Sequence, residues 1–208
     1  MDNTFDWYAF TEGLGRISCD RIIHSANNKW EPASVLNEGY NLPLDKESES
    51  ITKEDEELRS CEIAWTEEKW IHEAITPYME EANKASGWGY DIKYAESMQI
   101  TKYEKGGFYG WHKDGKGDNL SVYNMPENGY MHDKVRKLSM SVSLNEDFEG
   151  GDLEFSFYRK EKCHIKTVKT NKLGNIVVFP SYQEHRITPV TKGTRYALVV
   201  WFIGPPFV

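Results

Sequence analysis

The chain has 208 residues, of which 39% are hydrophobic and 28% are charged. This length suits one domain with a buried core, and the composition excludes a disordered or fibrous chain. The net charge of -8 argues against unaided binding to nucleic acid or to an anionic membrane, because the average electrostatic force would be repulsive.

The three cysteines are widely spaced and imply no disulfide framework. The chain starts without an apolar signal-peptide core, and its longest apolar run, at residues 197–203, is too short to cross a bilayer. We therefore expect a cytoplasmic protein without membrane or nucleic-acid partners.

Two helices are predicted in the front part of the chain. The first has apolar residues at helical spacing, namely Leu14, Ile17, Cys19, Ile22, Ile23 and Ala26. The second follows Thr66, a candidate N-cap, and its apolar face consists of Trp70, Ile71, Ala74, Ile75, Tyr78, Met79 and Ala82. Pro77 should kink this helix or break its hydrogen-bond ladder locally. The charged segment at residues 45–57 is predicted to be a solvated surface loop.

After residue 88 the apolar spacing changes to two, which is typical of strands. Residues 90–104 predict one long strand, or two with a bend. In residues 138–144, Leu138, Met140, Val142 and Leu144 alternate with Ser139, Ser141 and Ser143. Further strands are predicted at residues 152–158, 175–179 and 194–203. Two helices followed by about eight strands indicate a β-sandwich or barrel with a helical flank.

Two histidine patterns carry candidate chemistry. His112 and Asp114 end a predicted strand two residues apart, so they would point to the same side and direct a nitrogen and an oxygen towards one point. His185 begins a strand after a turn that follows Pro180. Taken singly, each of the six histidines is more simply a surface or structural residue, and His-x-Asp alone occurs often by chance.

Arg195 begins the apolar strand predicted at residues 194–203 and adds to the pattern, because arginine is almost never buried without a partner. It is either a surface residue at an exposed strand end or a pocket guanidinium that grips a carboxylate through two parallel hydrogen bonds. Two histidines and one carboxylate leave three open positions on an octahedral metal ion. This is the facial triad of non-haem Fe(II) oxygenases.

The joint motifs resemble the catalytic domain of the 2-oxoglutarate- and Fe(II)-dependent dioxygenases of the prolyl 4-hydroxylase type. The matching motifs are Tyr103-x-x-Gly-Gly-x-Tyr109-x-x-His112-x-Asp114, Arg136 to Asn145, Glu149 to Phe155, Phe179-Pro to His185, and Gly193-Thr-Arg195 to Trp201. The front half matches more loosely, at Leu58-Arg-Ser60 and around Trp70. The resemblance implies a mainly β fold: a double-stranded β-helix (jelly roll) packed against N-terminal helices. We expect a single domain, with a helical flank and variable loop at residues 1–88 and the catalytic core at residues 89–208.

The resemblance also implies roles for individual residues. The iron ligands would be His112, Asp114 and His185, with Arg195 on the distal carboxylate of 2-oxoglutarate. Hydroxyls of Tyr103 and Ser143 would lie near the co-substrate, and Tyr109, Arg136 and Trp201 would contact the substrate. The implied reaction consumes 2-oxoglutarate and O₂, hydroxylates a C–H bond of a prolyl residue in a peptide or protein, and yields succinate and CO₂. Ascorbate is the reductant that the resemblance suggests.

Several alternatives stay open from the sequence. The substrate could be a free amino acid or another small molecule, and a catalytically inactive jelly-roll binding module is a remoter possibility. A cupin is disfavoured because His-x-His is missing, and a structural zinc site because Cys163-His164 is isolated. Residues 115–135 form either a mobile lid over the substrate or a plain surface loop. Arg136 and Tyr109 show no stabilising role in the sequence.

Overall fold

The computed structural model describes residues 6–33, 58–115, 120–159 and 162–207. In these residues the helices are α1 (Arg16–Ser25) and α2 (Lys69–Ala85). The strands are β1 (Tyr8–Phe10), β2 (Glu31–Pro32), β3 (Arg59–Ser60), β4 (Glu62–Thr66), β5 (Tyr94–Ala95), β6 (Met98–Tyr103), β7 (Phe108–His112), β8 (Val135–Ser143), β9 (Phe148–Gly150), β10 (Leu153–Arg159), β11 (Lys162–Val168), β12 (Ile176–Pro180), β13 (His185–Ile187), β14 (Val190–Gly193) and β15 (Arg195–Gly204).

Two antiparallel sheets form the predicted jelly roll. The larger sheet has the order β1-β12-β8-β15-β6-β4-β2, with β5 paired to β15, and the smaller has the order β11-β10-β13-β7-β3. A two-stranded ribbon joins β9 to β14. Most neighbouring strands in the sheets are far apart in sequence, so the fold brings distant segments to one place. A cavity of about 470 Å³ is lined by residues of both sheets.

The helices cover one face of the larger sheet. Ile71, Ile75, Met79 and Ala82 of α2 are buried against Leu138, Met140, Val142 and Leu144, the apolar face predicted for β8. Helix α1 contributes Cys19 and Ile22, whereas Ile17 is 80% exposed, which corrects its place in the predicted apolar face. The N-cap of α2 is Glu68 rather than Thr66, whose hydroxyl accepts a hydrogen bond from the Glu68 N–H. The helix continues through Pro77.

The strand predictions after residue 88 are confirmed, and residues 90–104 form two strands, β5 and β6. Both predicted helices are present in the front part of the chain. Four short strands that were not predicted also lie there: β1, β2 and β4 belong to the larger sheet and β3 to the smaller. Strand β11 was not predicted. The charged segment at residues 45–57 lies outside the described residues. The three cysteines are free, and no described helix is long and apolar enough to cross a membrane.

Candidate active site

The structure brings His112, Asp114 and His185 together at one end of β7 and β13. His185 lies directly opposite His112 in the antiparallel pair of these strands. Asp114 follows β7, and its backbone N–H donates to the Ser181 carbonyl over 2.9 Å, which fixes the turn. One ligand atom from each of the three residues lies within 4.8 Å of the others. The two histidine Nε2 atoms are 3.7 and 3.6 Å from the Asp114 carboxylate oxygens.

Hydrogen bonds orient the three side chains. Nδ1 of His112 lies 2.8 Å from the Gly110 carbonyl, and Nδ1 of His185 lies 2.9 Å from the Gln183 carbonyl. Each Nδ1 therefore carries the proton, and each Nε2 lone pair points towards Asp114. Ser139 on β8 donates to Oδ2 of Asp114 over 2.7 Å. The sequence predicted a row of hydroxyls on this face but not this contact.

Burial and neighbouring charges shift the pKa values of His112 and Asp114. Burial lowers the pKa of His112 to about 3, and the neighbouring His185 acts in the same direction. Burial alone would raise the pKa of Asp114, but His185, His112 and Arg136 outweigh it and lower that pKa below its usual value. At neutral pH the site therefore offers a neutral imidazole and a carboxylate anion, the forms that bind a metal ion. Two nitrogen donors and one oxygen donor fit Fe(II), with three coordination positions left for other ligands.

Arg195 lies in the same cavity and is 1% exposed. Its Nε and Nη2 atoms are buried and have no hydrogen-bond partner among the described residues. These two nitrogens form one edge of the guanidinium, the edge that grips a carboxylate through two parallel bonds. Burial lowers the pKa of Arg195, yet arginine stays charged in proteins. A buried, unpartnered guanidinium is costly, and it fits an anionic ligand such as the distal carboxylate of 2-oxoglutarate.

The two hydroxyls predicted near the co-substrate differ in position. Tyr103 lies opposite Arg195 in the β6–β15 pair, lines the cavity and is 2% exposed. Ser143 does not line the cavity, and its hydroxyl donates to the Thr170 carbonyl. Ser141, two residues earlier on β8, does line the cavity.

The three residues predicted to contact substrate all line the cavity. Tyr109 stacks on His112 with the ring centroids 3.5 Å apart. Trp201 is 8% exposed and its indole N–H has no partner among the described residues. Arg136 lies 4.0 Å above the Trp201 ring and forms a bidentate ion pair with Glu96 at 2.8 and 2.7 Å. The expectation that Arg136 has no stabilising role was therefore wrong, because it neutralises a buried carboxylate.

The same ion pair connects the site to the loop that precedes β8. Tyr123 donates its hydroxyl hydrogen to Glu96 over 3.0 Å, and Tyr130 packs edge-on against Tyr94. Backbone hydrogen bonds between Tyr123 and residues 133 and 134 fold this part of the loop onto itself. Residues 116–119 lie outside the described residues.

Some cavity residues were missed by the sequence reasoning as functional residues. Arg59, Gln99 and Trp65 all line the cavity, and Trp65 is 43% exposed with its ring 6.3 Å from that of Trp201. Arg59 lies on β3, Gln99 on β6 and Trp65 on β4. Strands β3 and β4 are too short to show a periodic pattern in the sequence, so they were not predicted. The loose match at Leu58-Arg-Ser60 was the one sequence feature that pointed to this segment.

Residues 98–203 match the family described as the 2OG-Fe(II) oxygenase superfamily. A PKHD-type hydroxylase of Synechococcus sp. strain CC9311 is 30% identical over 192 residues, covering 90% of this chain and 74% of the relative. One of Idiomarina loihiensis is 32% identical over 109 residues, covering 52% of this chain and 43% of the relative. The chain thus spans less than half the length of some of the curated relatives that it matches.

Solved structures share the fold at low identity. A viral collagen prolyl hydroxylase from Paramecium bursaria Chlorella virus-1 gives a TM-score of 0.63 at 17% identity, covering 98% of both chains. A Pseudomonas putida prolyl-4-hydroxylase gives a TM-score of 0.61 at 18% identity, covering 96% of this chain and 92% of that one. The predicted jelly roll, and Fe(II) and 2-oxoglutarate as the cofactor and co-substrate of the family, are confirmed. With its His-x-Asp and distant histidine on facing strands, the chain belongs to the 2OG-Fe(II) oxygenase superfamily.

Proposed function

We propose that this protein is a 2-oxoglutarate-dependent Fe(II) dioxygenase that hydroxylates prolyl residues in a peptide or protein, with succinate and CO₂ as the other products. The observation that carries the proposal is the unpartnered edge of Arg195, in the same cavity as the three converging ligand atoms. A metal site alone would suit many chemistries. A metal site with a buried carboxylate-binding guanidinium suits one that takes a dicarboxylic co-substrate.

In this proposal the residues of the site have distinct tasks. His112, Asp114 and His185 hold Fe(II), and Ser139 keeps the Asp114 carboxylate turned towards it. Arg195 fixes the far carboxylate of 2-oxoglutarate. Bound together, Fe(II) and 2-oxoglutarate supply the oxidising chemistry that uses O₂.

Aromatic rings keep water away from the histidine ligands. Tyr109 covers the face of His112, and Phe179 packs edge-on against His185 with the ring centroids 4.7 Å apart. Burial raises the pKa of Tyr109 to about 12, so its hydroxyl stays protonated and can donate a hydrogen bond to the substrate.

A prolyl substrate is supported by the cavity lining and by the relatives. Trp65, Trp201 and Tyr109 offer flat apolar surfaces, and Arg136 is held beside them by Glu96. A prolyl residue lacks an N–H and favours the extended polyproline II shape, so it presents a flat ring and free carbonyls to such a surface. Two of the structural neighbours are described as prolyl hydroxylases. A free amino acid or another small molecule is the second candidate.

The test is a turnover screen with proline-rich peptides in the presence of Fe(II), 2-oxoglutarate and O₂. Mass spectrometry should show a peptide mass gain of one oxygen, matched by an equal amount of succinate. Asp114→Ala should abolish both products. If succinate forms but no peptide gains oxygen, while a free amino acid does, the second candidate replaces the first.

A further inference from the structure

Arg59 is a second buried guanidinium in the cavity, and the roles proposed above do not use it. It lies on β3 opposite Tyr109 on β7, and it is 9% exposed. Its Nε donates to the Cys61 sulfur over 3.0 Å, and its Nη2 donates to Oε1 of Gln99 over 2.8 Å. Its guanidinium carbon lies 4.5 Å above the centre of the Tyr109 ring. Arg59 is therefore held rigidly beside the ring that covers a metal ligand.

All of these partners are uncharged. Among the described residues no carboxylate forms an ion pair with Arg59, whereas the neighbouring Arg136 is neutralised by Glu96. Nη1 of Arg59 forms no hydrogen bond to the described residues, and the residue lines the cavity. Arginine is rarely buried without an acidic partner, because a desolvated charge is costly.

The charges at the centre of the cavity do not balance. Among the described residues the buried charged side chains there are Asp114, Arg59 and Arg195, together with the neutral pair of Arg136 and Glu96. One negative charge against two positive charges leaves one positive charge. Doubly charged Fe(II) and doubly charged 2-oxoglutarate cancel each other, so the surplus remains when both are bound.

From this surplus we infer that Arg59 is a specificity-determining residue, which binds a carboxylate of the substrate next to the carbon that is hydroxylated. The inference rests on the proposed dioxygenase function and adds the charge of the substrate to it. Arg59 and His112 both contact the Tyr109 ring and line the same cavity, so an anion on Arg59 lies one ring away from a metal ligand. At the cavity entrance the exposed side chains of Lys113 and Glu31 carry opposite charges and cancel, so the surplus belongs to the buried groups.

The carboxylate can come from three sources with the same chemistry: an acidic side chain adjacent to a prolyl residue, the C-terminus of a peptide, or a free amino acid. Matched pairs separate these sources. The probes are an internal prolyl-aspartate peptide against prolyl-asparagine, a C-terminal prolyl acid against its amide, and free L-proline against L-prolinamide. L-leucine against L-leucinamide extends the panel to substrates without a prolyl ring.

Binding is measured by calorimetry on the protein loaded with Fe(II) and 2-oxoglutarate under anaerobic conditions, so that no turnover occurs. In at least one pair the acid should bind roughly 10- to 100-fold more tightly than the amide. Arg59→Gln should remove this preference and leave the affinity for 2-oxoglutarate unchanged. Arg59→Lys should retain part of the preference, and it covers the case in which the glutamine variant does not fold. Arg16→Gln, which removes an exposed arginine paired with Glu146, is the matched control.

Two results would overturn the inference. Equal binding of acid and amide in all pairs would show that the surplus charge does not select the substrate. A loss of 2-oxoglutarate affinity in Arg59→Gln as large as its loss of affinity for the acid probe would make Arg59 a co-substrate residue instead. Neither result depends on which substrate is hydroxylated, so a failed prolyl screen leaves the inference testable through the leucine pair. Conversely, hydroxylation of a neutral internal prolyl peptide without acid preference would support the proposed function and contradict this inference.

Discussion

Replacement of Arg195 by methionine should change stability and co-substrate binding in opposite directions. In the metal-free protein Arg195 is buried and leaves two nitrogen donors without partners. A buried, unsatisfied donor costs about 1–3 kcal/mol. Methionine has a similar length and no donor, so Arg195→Met should raise the free energy of unfolding by about 1–3 kcal/mol. For a chain of this size each kcal/mol corresponds to a rise in Tm of about 2–4 °C.

The same substitution should weaken 2-oxoglutarate strongly. Loss of one partner of a buried charge pair costs about 2–5 kcal/mol, which corresponds to roughly 30-fold to several thousand-fold in affinity. Fe(II) affinity should stay close to that of the parent, because Arg195 makes no contact with the three ligands among the interactions found in the described residues. The measurements are urea unfolding of the metal-free protein and anaerobic calorimetry with 2-oxoglutarate.

Arg136→Met is the matched control, since it changes another arginine that lines the cavity, the one whose guanidinium lies over the Trp201 ring. Here the guanidinium has a bidentate partner, so its removal strands the Glu96 carboxylate and should cost about 3–5 kcal/mol of stability. One substitution should therefore stabilise and the other destabilise. If Arg195→Met instead is less stable than the parent and binds 2-oxoglutarate with the same affinity, Arg195 is a structural residue and the reasoning is wrong.

Three further predictions concern the surroundings of the site. Ser139→Ala removes the hydrogen bond to Asp114 and should weaken Fe(II) binding by roughly 10- to 100-fold in a metal titration, whereas Ser143→Ala should not change it. The metal-free protein should lose stability as the pH falls from 6.5 towards 3, because unfolded His112 takes up a proton in this range and the folded form, with its lowered pKa, does not; urea unfolding of His112→Gln across this range should show a weaker pH dependence. Tyr123→Phe removes the hydrogen bond from the loop to the buried ion pair and should reduce peptide-stimulated turnover while the slow, peptide-free formation of succinate stays unchanged; equal loss of both activities would contradict a role at the substrate.

Sequence patterns predicted the parts of the fold whose residues alternate over long strands. In β8 the alternation of apolar and serine residues identified both the core face and the face towards the site, and in β15 a long apolar run identified a strand without distinguishing its two faces. Strands of two to five residues, such as β2, β3 and β4, carry too few residues for a period. They are strands because they pair with distant partners, which no local pattern reveals.

The candidate site was predictable where chemistry demands particular residue types at fixed spacing, as in His112, Asp114 and His185. It was less predictable where only the position of a residue along a strand decides whether its side chain reaches the cavity. Ser143 lies four residues beyond Ser139, about 13 Å along an extended strand, so it passes the end of the cavity and bonds to Thr170 instead. Partners such as Glu96 for Arg136 come from a separate strand region and required the structure.

The central claim is that one cavity binds Fe(II) through three side chains and 2-oxoglutarate through Arg195. The most direct test is the visible absorption that chelation of Fe(II) by a 2-oxo acid produces, recorded anaerobically as 2-oxoglutarate is added. The parent and the surface variant His164→Ala should give a saturable band, Arg195→Met should require far more 2-oxoglutarate, and Asp114→Ala should give none. No band in the parent, or an identical titration in Asp114→Ala, would contradict the claim.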